Sequence, residues 1–214
     1  MTESRVDTPY GEGRLVVCDA DDVAATLLLS HGAGNGIDTA DLEMLAAALP
    51  PHGVTVARFE QPWKVAGRKV ATAPPTLDAG LRAAVEALAA SSPLVLGGRS
   101  AGARSAARCA RSLGAAGCLA LSFPLHPPGR PDKSRLAELA GAGVPTLVVQ
   151  GERDSMGRPE EFPTDLPATE LVVVASADHS LRVAARAALT TAESLDLVGA
   201  AVLAWLTRAV LGNQ

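Results

Sequence analysis

The first stretch of this sequence whose residue types and spacing could do chemistry is Gly98-Arg99-Ser100-Ala101-Gly102. This G-x-S-x-G pattern follows an apolar run, Leu94–Gly97, and precedes a helical stretch of small residues, so it reads as a strand–turn–helix elbow. A turn that tight forces the serine into a strained backbone conformation with its hydroxyl exposed, and only residues without bulk can flank it. A serine there could also simply cap a helix N-terminus. As a nucleophile, Ser100 would attack a carbonyl carbon, and negative charge would develop on the carbonyl oxygen.

That charge calls for pre-aimed N–H donors, each lowering the barrier by roughly 2.7–4 kcal/mol. In an elbow architecture one donor is the residue after the nucleophile, here Ala101. The other comes from a loop after an early strand, and His31-Gly32-Ala33-Gly34-Asn35-Gly36 offers Ala33. A dinucleotide-binding loop is the rival reading of these glycines. It fails on spacing, because Ile37 stands where the third fingerprint glycine belongs and no acid closes a following strand.

A serine nucleophile also needs a base, and the base needs a carboxylate to fix its tautomer. Of the four histidines, His31 belongs to the glycine loop, His52 follows paired prolines in a turn, and His126 sits in a Pro-rich loop. His179, in Ala177-Asp178-His179-Ser180-Leu181, lies just past the last strand, where such a base is required. Asp154, in Gly151-Glu152-Arg153-Asp154, is the expected orienting acid, with Glu152 as substitute. The chain order Ser…Asp…His matches that of the nucleophile-elbow enzymes. The expected chemistry is acyl transfer to water through an acyl-enzyme, with no cofactor and no metal.

Elements must bring these residues together. Apolar runs of strand length at Gly13–Cys18, Ala25–Leu29, Val54–Phe59, Leu94–Gly97, Cys118–Phe123, Thr146–Val149 and Leu171–Ala175 alternate with helical patterns. Thr39 to Leu49 is a helix stopped by Pro50-Pro51, and Leu77 to Ala90 is a helix with Thr76 as expected N-cap. Further helices are expected at Ser100–Leu113, around Leu136–Ala140 and over Leu195–Leu211, with a short segment near Pro159. Gln61 to Pro75 reads as a loop. Continuous apolar strands are buried on both faces, so the expected fold class is α/β, a three-layer α/β/α sandwich with a mostly parallel, doubly wound sheet. Ligands bind such sheets beyond the strands' carboxyl ends, where all four chemical segments fall. Residues 1–12 read as a flexible tail and residues 13–214 as one domain.

Composition narrows the function. The 214 residues carry a formal net charge of -4, and only 3% are aromatic. Cations are scattered rather than gathered beside aromatics, which argues against a nucleic-acid partner. The polar N-terminus lacks an apolar signal segment, and the apolar C-terminal stretch, interrupted by Asp196, Gly199 and Arg208, reads as a docked helix and not a membrane span. Three cysteines without a C-x-x-C suit buried hydrophobes in a reducing, cytoplasmic setting. No feature specifies an oligomeric state.

Several of these segments together resemble a known family. They are Ser30-His31-Gly32-Ala33-Gly34, Gly97 to Arg104, Phe123-Pro124-Leu125-His126-Pro127-Pro128-Gly129, Gln150 to Asp154 and Ala177 to Leu181. The likeness is to the dienelactone-hydrolase-like branch of the α/β-hydrolases, more narrowly to the group named for a testis-expressed protein and a subunit of the NSL chromatin complex. It spans about residues 14 to 210. Arg99 stands where lysine is expected and Ala101 where methionine is common, while dienelactone hydrolases carry a cysteine at the elbow. The resemblance implies the fold and the Ser100, Asp154, His179 triad without fixing a substrate. His31, Gly32, Trp63, Arg99 and His126 are the expected pocket walls. No insertion is long enough to form a lid, which favours a small soluble ester, thioester or amide over lipid substrates. A catalytically silent interaction module and an acyltransferase on the same scaffold are the alternatives.

Overall fold

The computed structural model describes residues 1–212. One eight-stranded sheet runs in the order β1-β2-β4-β3-β5-β6-β7-β8. Its strands are β1 (Thr2–Thr8), β2 (Gly11–Cys18), β3 (Ala25–Ser30), β4 (Val54–Glu60), β5 (Leu94–Arg99), β6 (Gly117–Leu121), β7 (Thr146–Gly151) and β8 (Thr169–Val174). The β1·β2 and β2·β4 pairings are antiparallel and all others parallel. The helices are α1 (Ala40–Ala48), α2 (Pro62–Val65), α3 (Pro74–Leu88), α4 (Ala101–Cys109), α5 (Leu136–Ala140) and α6 (Thr191–Leu206).

Side chains on a strand alternate between faces, so one strand serves two cores. On β3, Leu28 joins a cluster with Leu81, Ala84, Ala106 and Leu139, which brings α3, α4 and α5 onto one face. Leu27 and Leu29 join the other, with Leu45 of α1 and Val198, Val202 and Trp205 of α6. The result is the expected three-layer α/β/α arrangement with no lid.

Several boundaries differ from the sequence reading. Residues 2–8 are not a loose tail; they form the edge strand β1, joined to β2 through a turn in which Gly11 takes φ +109°. Only Val6 of β1 is buried, so the strand carries no apolar alternation to betray it. Helix α3 begins at Pro74, with Ala73 and not Thr76 at the N-cap, because proline is tolerated in a first helical turn. A short helix, α2, interrupts the expected loop after β4. Helix α6 starts at Thr191, four residues before the expected point, behind a capping box. Thr190 Oγ1 accepts from the Glu193 N–H at 3.2 Å, and the Glu193 carboxylate accepts from the Thr190 N–H at 2.8 Å.

The span Thr191–Leu211 has mean hydropathy 1.6 and is long and apolar enough to cross a membrane. Here its apolar stripe, including Val198, Val202 and Trp205, is packed on the sheet. Cys109 and Cys118 are buried, and burial pushes their thiols up to about 11 and about 12. They therefore act as small protonated hydrophobes.

Candidate active site

The elbow is built from close approach. Ser100 sits between β5 and α4 at φ 51°, ψ -109°, a left-handed conformation that a side chain tolerates only under constraint. The constraint comes from neighbours that leave no room for a Cβ. One at Gly102 would stand 2.8 Å from the His31 carbonyl oxygen, and one at Gly98 would stand 2.7 Å from the Gly102 carbonyl carbon. The Ser100 N–H is held by the Leu121 carbonyl at 3.0 Å. Glycine at both flanks is thus a steric requirement of the turn.

Ser100, His179 and Asp154 meet at the carboxyl-end rim of the sheet although 79 and 25 positions separate the bonded pairs. His179 Nε2 lies 3.0 Å from Ser100 Oγ, and its Nδ1 lies 2.7 Å from Asp154 Oδ2. Asp154 is wholly buried. It also accepts from the Met156 N–H at Oδ1, 2.8 Å away, and from Gln150 Nε2 at Oδ2, 2.9 Å away. Three donors therefore fix the carboxylate before any substrate arrives. Glu152, the substitute acid, is exposed and instead accepts from the Ser176 N–H at 2.6 Å.

The glycine loop after β3 runs beside Ser100. A Cβ at Gly32 would lie 3.4 Å from Ser100 Cβ, ordinary contact distance. Ala101 is the first residue of α4, so its N–H belongs to the first helical turn, where the helix offers no acceptor. Ala33 follows Gly32 in the loop and is exposed. Among the described residues its N–H has no main-chain acceptor.

The other expected pocket residues fall elsewhere. His31 is only 3% exposed. Its Nδ1 lies 2.8 Å from the Gly32 carbonyl oxygen, and its Nε2 accepts from the Gln61 N–H at 3.0 Å. That pattern requires a neutral ring, and burial, opposed by weaker raising influences, holds its pKa below the ordinary imidazole value. His31 is a buttress behind the glycine loop, not a wall of the site. Trp63 packs on it at a ring separation of 5.4 Å and is itself 4% exposed. It lines a cavity of about 580 Å³ with Tyr10, Pro62 and Arg68.

His126 is also buried, with Nδ1 2.8 Å from the Pro127 carbonyl oxygen and Nε2 2.9 Å from Glu161 Oε2. Both neighbours are acceptors, so only the protonated ring satisfies both. Its pKa is raised, chiefly by the Pro127 carbonyl and further by Glu161. The pair clamps the loop after β6 onto the segment that carries Asp154, which the His126 N–H also reaches through the Met156 carbonyl at 3.0 Å. Arg99 is 5% exposed and ion-paired with Asp41. It lines a different cavity, about 350 Å³, with Asn35, Asp41, Ser180 and Leu195.

Asp41 and Gln150 are the site's neighbours that the sequence did not single out. Gln150 closes β7 four residues before Asp154, a spacing that could have suggested the contact; Asp41 carries no such signal.

Comparison with known proteins agrees with this architecture. Residues 23–207 match the alpha/beta hydrolase domain family. No curated protein matches the chain. Among solved structures, an alpha-beta serine hydrolase homologue from Coxiella burnetii superposes with a TM-score of 0.76 at 17% identity, covering 95% of this chain and 96% of that one. A serine hydrolase without lid from Xanthomonas campestris gives 0.71 at 23% identity, covering 98% and 94%. A dienelactone hydrolase from Anabaena variabilis gives 0.75 at 17% identity, covering 98% and 97%. At these identities the superpositions speak for the fold. The family match spans the elbow, the acid loop and the histidine loop in one stretch, and with it the chain belongs to the alpha/beta hydrolases.

Proposed function

We propose that the protein is a serine hydrolase of small, soluble carboxylic esters, thioesters or amides, acting in the cytoplasm, with Ser100 as nucleophile, His179 as base and Asp154 as orienting acid. The observation that carries this reading is the continuous hydrogen-bond relay from Ser100 Oγ through His179 to a buried, thrice-bonded Asp154.

In the proposed cycle Ser100 Oγ attacks the acyl carbon while its proton passes to His179 Nε2. Asp154, fixed on Nδ1, supports the imidazolium that forms. The N–H groups of Ala33 and Ala101 hold the oxyanion. The tetrahedral adduct collapses, its leaving group takes the proton from Nε2, and the acyl-enzyme remains. Water then repeats the attack with His179 again as base, releasing the acid and restoring Ser100.

Half-exposed Ser100, uncovered by any lid among the described residues, favours small substrates that need no lid closure. The buried, free Cys109 and Cys118 fit a reducing compartment. Within the dienelactone-hydrolase-like branch, the run Phe123 to Gly129 favours the group named for a testis-expressed protein and a subunit of the NSL chromatin complex, and serine in place of cysteine disfavours a dienelactone as substrate.

Hydrolysis of p-nitrophenyl esters graded by acyl length tests the reading. Turnover that peaks at short chains and vanishes in Ser100→Ala is expected. Absence of turnover across the series, in a protein that melts cooperatively, would favour the silent interaction module instead. Added alcohols or amines that capture the acyl group in preference to water would favour the acyltransferase.

A further inference from the structure

Arg99 precedes the nucleophile, yet its side chain does not face the reacting atoms. Its guanidinium is buried; Nε donates to Asp41 Oδ2 at 2.8 Å, and Nη2 donates to the main-chain carbonyl oxygen of His179 at 2.7 Å. Nη1 lies 3.9 Å from where a Cβ at Gly32 would stand, so the same group reaches the glycine loop. Asp41, 3% exposed, sits in the first turn of α1. One planar, rigid fork carried by the elbow thus meets three segments at once: the glycine loop, the N-terminal end of α1 and the histidine turn.

The histidine turn is otherwise closed mainly on itself. The Ser180 and Arg182 N–H groups donate to Asp178 Oδ1, the Asp178 N–H donates to the Arg182 carbonyl and the Leu181 N–H to the Asp178 carbonyl. Those bonds shape the turn but do not register it against Ser100. A buried ion pair is a weak source of stability, since desolvation offsets most of its attraction. Its yield here is geometric. Asp41 also neutralises the guanidinium, so the carbonyl is gripped without adding net positive charge beside the imidazolium of the cycle.

We propose that the Arg99–Asp41 pair is a positioning strut that sets the distance between the His179 ring and Ser100 by holding the His179 main-chain carbonyl. The proposal deepens the hydrolase reading and rests on it for its kinetic consequence, though the strut itself is observable without turnover.

Two readouts test it. The His179 Nδ1 proton, bonded to Asp154, should give a low-field proton resonance in the wild-type protein, abolished by His179→Ala. The paired variant Arg99→Met with Asp41→Leu removes both charges together, so no buried ion is orphaned and the fold is expected to persist. It should broaden or lose that resonance. On an ester substrate it should lower kcat about 100-fold, the scale of an ångström-sized misplacement, with KM little changed. In a His179→Ala background it should cause no further loss, because the strut acts through that ring. Arg99→Lys retains the charge pair but cannot fork to both acceptors, and should show an intermediate loss; it keeps the test readable if the paired variant does not fold.

An unchanged resonance and unchanged kcat in folded variants overturn the strut. So does an equal loss in the His179→Ala background. A wild-type protein with no ester turnover but with a resonance that the variants broaden would sink the hydrolase reading and leave the strut standing.

Discussion

Asp154 shows how much of the proposed catalytic geometry is fixed by a single residue's hydrogen bonds. Its carboxylate receives the Met156 N–H, Gln150 Nε2 and His179 Nδ1 with no exposure to water. Asp154→Asn keeps the shape but offers an amide where Nδ1–H needs an anion. It should lower kcat on an activated ester by about four orders of magnitude, as loss of the orienting acid does in serine proteases, while the protein still melts cooperatively. A loss of less than tenfold would show that another group orients the ring. The convergence of Ser100, Asp154 and His179 was legible because each follows a strand in a chain order that few folds share. His31, Arg99 and His126 were legible as members of chemical segments, but their roles were not. Burial and partner choice decide those roles, and both depend on residues far away in sequence: Gln61 for His31, Asp41 for Arg99 and Glu161 for His126.

At the level of elements, the elbow is a packing problem solved by glycine. Gly102→Ala would drive a methyl group into the carbonyls of Ser30 and His31. Overpacking of that kind costs about 1–3 kcal/mol, readable as a lower midpoint in denaturant, together with slower reaction at Ser100. The loop after β6 is held differently, by the His126–Glu161 clamp. The His126 pKa is raised, so its contribution is complete below the unfolded imidazole value and is lost as pH rises through the folded one. Glu161 is lowered, chiefly by the Arg158 N–H, so its contribution is present above its unfolded value and lost as pH falls through the folded one. The clamp is therefore strongest in the acid-side window between the two, and denaturant titrations should show His126→Gln removing stability there and little at alkaline pH. A variant penalty that instead grew with rising pH would contradict this assignment. The strands and helices of the parallel region were legible from apolar runs and proline stops. Strand β1 was not, because an edge strand with one buried side chain has no periodicity to read. The early start of α6 was written in Thr190-x-x-Glu193, a capping box hidden by the weakly apolar turn behind it.

Across the whole molecule, two cores back the sheet, and the few aromatics carry more of them than composition suggests. Phe59, Phe123, Phe162, Trp63 and Trp205 are all buried, leaving Tyr10 as the exposed aromatic. Trp205 fills the space over Gly117, where a Cβ would come within 3.0 Å of its ring. Trp205→Ala should cost about 3–5 kcal/mol in thermal or chemical unfolding, enough to threaten a fold of ordinary stability. The sheet these cores support exists, in functional terms, to bring loops after β5, β7 and β8 to one rim. Labelling with a fluorophosphonate probe reports most directly whether that convergence produces a reactive serine. The wild-type chain should react covalently at Ser100, Ser100→Ala should not react at all, and His179→Ala should react far more slowly. Full labelling of Ser100→Ala, or none of the wild-type protein in its folded state, would contradict the account.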